Sequence, residues 1–495
     1  MRLPSQDRPG LDIEADRPPA PSPPEVVESV GYPALPGIDA FQILLTRSGT
    51  DRAVLYGVLA KFVGGLFGLA TLLLIASRFP VEMQGYYYTF TNLIALQVFA
   101  EMGLGVVVTQ FASHYWARLS LDDRGRIQGE PEALSRLVSL GRLSMRWYAV
   151  AGVAAATLIG LFGHAFFSHA PASGIRWQAP WIALCALAGL RLSLIPAWSL
   201  LEGCNQVASV YLFRFLSTLV AGLVSSLAIL LGLGLWAPAV ALGAEVGVAL
   251  SFLGWRHRPF VLTFLHPAGG PGLDWWADIL PLQYRIALTW MAGYFATSVF
   301  TPILFYYHGP ALAGQWGMTW SMFAMVTSVS LTWVLARAPQ FGMLVARREF
   351  AALDRQFFRQ TRTSLAVACL GTSLIWASIR LLHELGSTLA SRVLPPLPSA
   401  LLAIAVVLVN VPYAQSIYLR AHKREPFLVA SLVQSFLLAS MALLVGRKWG
   451  GLGIACGYLA VMAVVAVPWA VTIWFRSRAE WHAPASGSVT TGHTG

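Results

Sequence analysis

Charge is what this chain has least of. Only 12% of its 495 residues are Asp, Glu, Lys or Arg, about half of the roughly 25% found in soluble domains. With 56% hydrophobic residues and a mean hydropathy of +0.61, that scarcity excludes an ordinary water-soluble protein and places the chain in a membrane. The apolar runs are continuous instead of short and alternating, which excludes a β-barrel and leaves helices. Cysteine is scarce too. Cys185, Cys204, Cys369 and Cys456 fall within or beside apolar runs, without the paired spacing of a metal site or disulfide framework, and read as small packing residues. A nucleophile motif, a metal-ligand cluster and a phosphate loop are all missing, so the chain reads as a non-enzyme with no cofactor. No apolar h-region opens it: residues 1–45 are Pro-rich and acidic and read as a disordered cytoplasmic tail. Residues 481–495, rich in Ser, Thr and Gly, read as a second disordered tail.

What the chain does have is twelve apolar segments, near 53–77, 86–113, 143–166, 179–201, 209–232, 236–254, 279–305, 313–337, 363–385, 399–419, 427–446 and 451–475. Twelve spans of about 20 residues fit the length comfortably. The connections following the even-numbered segments carry eighteen Lys and Arg, whereas the alternate ones carry only Arg78, Arg176, Arg392, Arg447 and Lys448. The positive-inside rule therefore puts both termini in the cytoplasm. The net charge of +11 is thereby explained by orientation, with no nucleic-acid partner implied. All outer connections are short, which argues against a large outward catalytic domain.

A repeat emerges when the two halves are aligned. Thr109-Gln110-Phe111 closes the second segment and Pro339-Gln340-Phe341 the eighth, with the glutamines 230 positions apart. Gly85 and Gly314 precede the same segments at an offset of 229. Leu235, in the turn between segments five and six, lies 217 positions before Leu452. Similar offsets in one order predict an N-terminal six-helix lobe over 46–260 and a C-terminal one over 261–480, related by an axis along the membrane normal with a cavity between them.

Ionisable groups inside the spans mark where chemistry should lie, because each costs about 2.5 to 3.5 kcal/mol at a helix centre. Four stand out: Lys61, Glu101, Arg191 and Glu245. Lys61 falls in a stripe with Gly57, Gly64, Gly65 and Gly68, the spacing of one helix face. Gln97, Glu101, Gly105 and Thr109 form a polar stripe on the second segment, and Arg285, Thr289, Gly293, Thr297 and Thr301 one on the seventh. These stripes predict a hydrated path lined by Gln97, Thr109, Thr289 and Thr297. For Lys61 two readings stand side by side: a structural ion pair with Glu101 or Glu245, or a contact to an anionic substrate. Glu101 and Glu245 are the candidates for such pairing or for proton coupling. Arg214, Arg285 and Arg337 lie nearer span ends and are placed to snorkel to the headgroups. Trp177, Trp181, Trp275 and Trp276 read as interfacial anchors. The arginines at 347, 348, 355, 359 and 362 read as topology determinants and anionic-lipid contacts.

The stretch Gly103 to Leu119, GLGVVVTQFASHYWARL, and the stretches GQWGMTW and LARAPQFGMLVARREFAALDRQFFRQT between Gly314 and Thr361 resemble bacterial polysaccharide-biosynthesis membrane proteins. These are the Wzx-like O-antigen and exopolysaccharide flippases of the multidrug/oligosaccharidyl-lipid/polysaccharide (MOP) exporter superfamily, which includes the MATE drug transporters. The resemblance extends diffusely over about residues 50 to 475. It implies an all-α, two-lobed, twelve-helix transporter of a bacterial inner membrane that carries undecaprenyl-diphosphate-linked oligosaccharide to the outer leaflet. It further implies Lys61, Arg191 and Arg285 as candidates to meet the diphosphate, and anionic lipids and other polysaccharide-assembly proteins as partners. The long Pro-rich tail departs from the family's compact pattern. Three rivals stand beside this reading: a drug/cation antiporter of the same superfamily, whose cavity should favour acids; a major-facilitator carrier, suggested by Asp123-Arg124-Gly125-Arg126; and a polysaccharide polymerase or ligase, which would need a larger outer loop.

Overall fold

The computed structural model describes residues 52–122, 124–169, 174–264, 279–422 and 426–482, with 275 and 424. Both terminal tails lie outside the described residues apart from Trp481 and His482. Among the described residues nine helices are long and apolar enough to cross a membrane, eleven if each of two bent pairs is one span, and the shorter apolar helix Leu428–Leu444 stands in the position of a twelfth. In chain order the spans are Arg52–Arg78 (span 1), Val81–Glu101 with Leu104–Trp116 (span 2), Pro131–Ser168 (span 3), Gln178–Gly203 (span 4), Val207–Leu230 (span 5) and Trp236–Trp255 (span 6). Leu280–Thr297 with Phe300–His308 (span 7), Pro310–Ala346 (span 8), Phe350–Glu384 (span 9), Pro396–Ala421 (span 10), Leu428–Leu444 (span 11) and Gly446–Trp481 (span 12) complete the set. A short antiparallel hairpin, Leu119–Leu121 (β1) with Ile127–Gly129 (β2), joins spans 2 and 3.

Each apolar segment of the sequence corresponds to one of these spans. The largest difference is in length: spans 3 and 9 begin at Pro131 and Phe350, about a dozen residues before their apolar stretches. Their opening turns carry Arg136 and Arg142, and Arg355, Arg359 and Arg362. A helix continues wherever its backbone bonds do, so hydropathy marks the membrane-embedded part and misses the charged extension.

Span 2 bends by 44° at its break. Met102 and Gly103 there both take left-handed conformations, φ 48° and 64°, which stop an α-helix because the run of i→i−4 bonds cannot pass through them. A glycine accommodates this readily; Met102 does so at a cost. Span 7 bends by 40° between Thr297 and Phe300.

The two halves of the chain meet where spans 2 and 8 begin. Gly85 and Gly314 press so close that a Cβ on Gly85 would sit 1.9 Å from the Pro310 carbonyl oxygen. The amide of Gln84 donates to the Gly314 and Arg392 carbonyls at 2.8 Å each. An aromatic group seals this end: Tyr86 lies edge-on to Phe305 with centroids 4.9 Å apart, and Phe167 contacts Phe90, Trp181 and Phe305.

The tryptophans divide. Trp181 is fully buried and its indole N–H donates to the Gly160 carbonyl at 3.1 Å, so it is a core residue and no interfacial anchor. Trp177 is half-buried, Trp275 stacks on Trp147, and Trp276 lies outside the described residues. The cysteines divide as well. Cys185 and Cys204 are buried packing residues, whereas Cys369 and Cys456 are exposed, because they fall on outward faces of their spans.

Candidate functional site

Each half encloses a charged cavity. The first, about 650 Å³, is lined by Glu101, Gly105 and Thr109 of span 2, Arg191, Ser199 and Glu202 of span 4, Arg214 of span 5, Glu245 of span 6 and Trp290 of span 7. Three of the four mid-span charges singled out in the sequence thus converge from three helices. Arg191 Nη1 lies 3.6 Å from Glu245 Oε1, a loose and part-exposed pair. Arg214 Nη2 lies 2.7 Å from Glu202 Oε2, with its guanidinium over the Tyr211 ring at 5.0 Å. Arg214 remains exposed while pairing with Glu202 on the other arm of the span 4–5 hairpin. The sequence signal was legible but unused: one acid and one base flank a tight helical turn.

Thr109 stitches this cavity together. Its hydroxyl lies within hydrogen-bond distance of the Gly105 carbonyl at 3.0 Å and the Ser199 carbonyl at 3.2 Å, which ties the second part of span 2 to span 4. Glu101 stands on the last residue before the break in span 2 and makes no ion pair among the described residues. Gln97, one turn earlier, is half-buried; its Oε1 is buried without a hydrogen-bond partner, and it is not in the wall of either cavity.

Lys61 stands apart. It is exposed on span 1 and pairs with no acid among the described residues, since Glu245 pairs with Arg191. Part of its stripe packs on other spans: a Cβ on Gly57 would meet Tyr211, on Gly64 Thr218, both of span 5, and on Gly68 Met325 of span 8, whereas one on Gly65 would meet nothing within 4 Å, and Lys61 is in the wall of neither cavity. The lysine thus stands on the face of span 1 that reaches from span 5 to span 8.

The second cavity, about 460 Å³, is walled by spans 7, 8, 10, 11 and 12. Thr289, Gly293 and Thr297 of the span 7 stripe line it, whereas Thr109 lines the first cavity; the Thr297 hydroxyl donates to the Gly293 carbonyl at 2.9 Å. The side chain of Arg285 lies outside the described residues. Arg420 and Arg424 line the same cavity, a placement sequence reading missed because they were counted with the connection. Arg337 bonds Gln340 Oε1 at 3.0 Å on its own helix.

Beyond the spans, His257 is buried where span 6 ends, and its Nε2 lacks a hydrogen-bond partner. Burial, with the neighbouring Arg256 charge adding to it, pulls its pKa down to about 4.

No protein-family profile and no curated protein sequence matches the chain. Solved structures do. An inward-facing MATE multidrug resistance transporter of the MOP superfamily superposes with a TM-score of 0.61 at 14% identity, covering 85% of this chain and 98% of that one. The lipid II flippase MurJ, in an inward closed conformation, gives 0.62 at 12% identity, covering 87% and 90%. The fold is that of the MOP-superfamily transporters. A third structure with the MOP fold, a transporter from Pyrococcus furiosus described as having a binding pocket of reverse polarity, gives 0.51 at 14% identity over 88% and 96% of the two chains.

Proposed function

We propose that this protein is a membrane transporter that carries an undecaprenyl-diphosphate-linked oligosaccharide from the cytoplasmic to the outer leaflet of a bacterial inner membrane. The lobes, 46–260 and 261–480, alternate access to the two sides, and both termini are cytoplasmic. In that orientation the Gly85–Gly314 contact closes the outer side and the conformation is inward-facing.

The observation that carries this reading is Lys61. A cation placed within a span without an acid partner is costly unless it faces water and meets a negative ligand, and its stripe reaches both halves of the chain. The diphosphate of a lipid-linked sugar supplies such a ligand while its prenyl tail stays in the bilayer. Arg191 and, on the seventh span, Arg285 assist. The arginines of the span 8–9 connection hold anionic headgroups.

The test is translocation of a labelled undecaprenyl-diphosphate oligosaccharide in proteoliposomes. Wild type should transport above empty vesicles, and Lys61→Ala at equal protein level should lose at least tenfold, with Lys61→Arg partly rescuing it. Full transport by Lys61→Ala would refute its role. A second reading, a cation antiporter, is favoured by one observation: three carboxylates against two arginines in the first cavity. Uptake of a cationic dye with no lipid-linked transport would decide for it.

A further inference from the structure

The two cavities are walled largely by spans that the sequence offsets pair, and their walls differ systematically. Spans 2, 4, 5 and 6 line the first and spans 8, 10, 11 and 12 the second, with span 7 contributing to both. At the offset of 230 that relates Gln110 to Gln340, Glu101 corresponds to Leu331. At the offset of 217 that relates Leu235 to Leu452, Glu202 corresponds to Leu419 and Glu245 to Met462. Leu331, Leu419 and Met462 all line the second cavity. Each acid of the first cavity is thus an apolar residue in the second, which holds Arg420 and Arg424 and no Asp or Glu among its described lining residues.

The helices around this second cavity are also irregular in three places. Pro412 lies inside span 10, where it has no N–H to give. Met462–Ala466 is a π-helical turn in span 12, a distortion that recurs at functional sites. The bend of span 7 follows Thr297 directly. Ser416, Ser431 and Gln434 line the cavity with the two arginines, so its wall holds polar side chains as well as positive charge.

We infer that the second cavity is an anion site that receives a phosphate or diphosphate ester, with Arg420 and Arg424 as its charge contacts. Guanidinium groups pair with phosphate oxygens in two-pronged fashion, and the volume suits a headgroup rather than a whole lipid. The inference concerns binding and stands whether or not the flippase reading holds.

The experiment is equilibrium binding to the detergent-solubilised full chain with two probes, inorganic pyrophosphate and undecaprenyl diphosphate. Wild type should bind undecaprenyl diphosphate. Arg420→Gln combined with Arg424→Gln should weaken it at least tenfold, and Arg420→Lys with Arg424→Lys should recover most of the loss. Arg380→Gln, which removes an exposed arginine on span 9, controls for net charge and should bind normally. Pyrophosphate binding with the same variant pattern would show that the phosphates suffice; binding of the lipid alone would assign the ligand to a membrane source. No binding of either probe by wild type overturns the proposal. So does full binding by the double Gln variant. If the Gln pair fails to fold, the Lys pair decides, since the inference requires it to bind.

Discussion

Glu101 and His257 are both ionisable and poorly partnered, yet they make different predictions. Glu101 lines a cavity beside an arginine whose partner is Glu245, so no ion pair fixes its protonation state. If it exchanges protons during transport, Glu101→Gln should abolish the pH dependence of translocation while leaving thermal stability within about 1 kcal/mol of wild type; a variant with an intact pH profile would exclude coupling through this residue. His257 should act on stability instead. Its folded pKa of about 4 lies below the ordinary 6.5, so the unfolded chain takes up the proton first. Stability from this residue is therefore intact above about pH 6.5, declines as pH falls towards 4, and is lowered by at most about 3 kcal/mol below that. His257→Gln should flatten this part of the curve, which thermal unfolding in detergent between pH 7 and 4 would measure; identical slopes for both proteins would contradict it.

Span 2 shows how much of the fold is legible from residues and where legibility stops. Hydropathy found the eleven spans and the shorter helix Leu428–Leu444, because continuous apolar runs leave helices few alternatives in lipid. The polar stripe on span 2 is visible in the sequence; Glu101 and Thr109 line the first cavity, whereas Gln97 lines neither. The break is not visible there: a single Gly103 inside an apolar run is common, and only the folded chain shows that Met102 joins it in a left-handed conformation. Side-chain partners were equally hidden. Lys61 and Arg191 look alike in sequence, but only the angular placement of spans 4 and 6 gives Glu245 to the arginine. The Gly85 contact yields the sharpest prediction about these elements. Since a Cβ there would sit 1.9 Å from the backbone oxygen of Pro310, Gly85→Ala must part spans 2 and 8 at this end. Spin labels on the first turns of the two spans should move apart by several ångströms. Gly163→Ala, which would strike the Trp181 ring within one half of the chain at 2.2 Å, should instead lower the melting temperature with that distance unchanged.

Across the molecule, the two longest unbroken helices give both halves a cationic extension. Spans 3 and 9 contain 38 and 35 residues, about 57 and 52 Å at 1.5 Å per residue, against a hydrocarbon layer of about 30 Å. Their arginine-bearing first turns therefore stand in or beyond the headgroups, where each cation is worth about 1 kcal/mol near an anionic surface. Transport in vesicles of zwitterionic lipid should fall several-fold relative to vesicles with one-third anionic lipid, and Arg355→Gln with Arg359→Gln and Arg362→Gln should reduce that difference; insensitivity to lipid charge would rule the contact out. The join at Gln84 carries a consequence for how the protein is made. Gln84 bonds the Gly314 carbonyl, 230 residues later. A ribosome adding about 5 to 20 residues per second takes about 10 to 50 s to bridge that interval. For that time the polar start of span 2, with Gln84 and Asn92 lacking their distant partners, must wait beside water, lipid headgroups or the insertion machinery, so the N-terminal half made alone should be retained there and degraded.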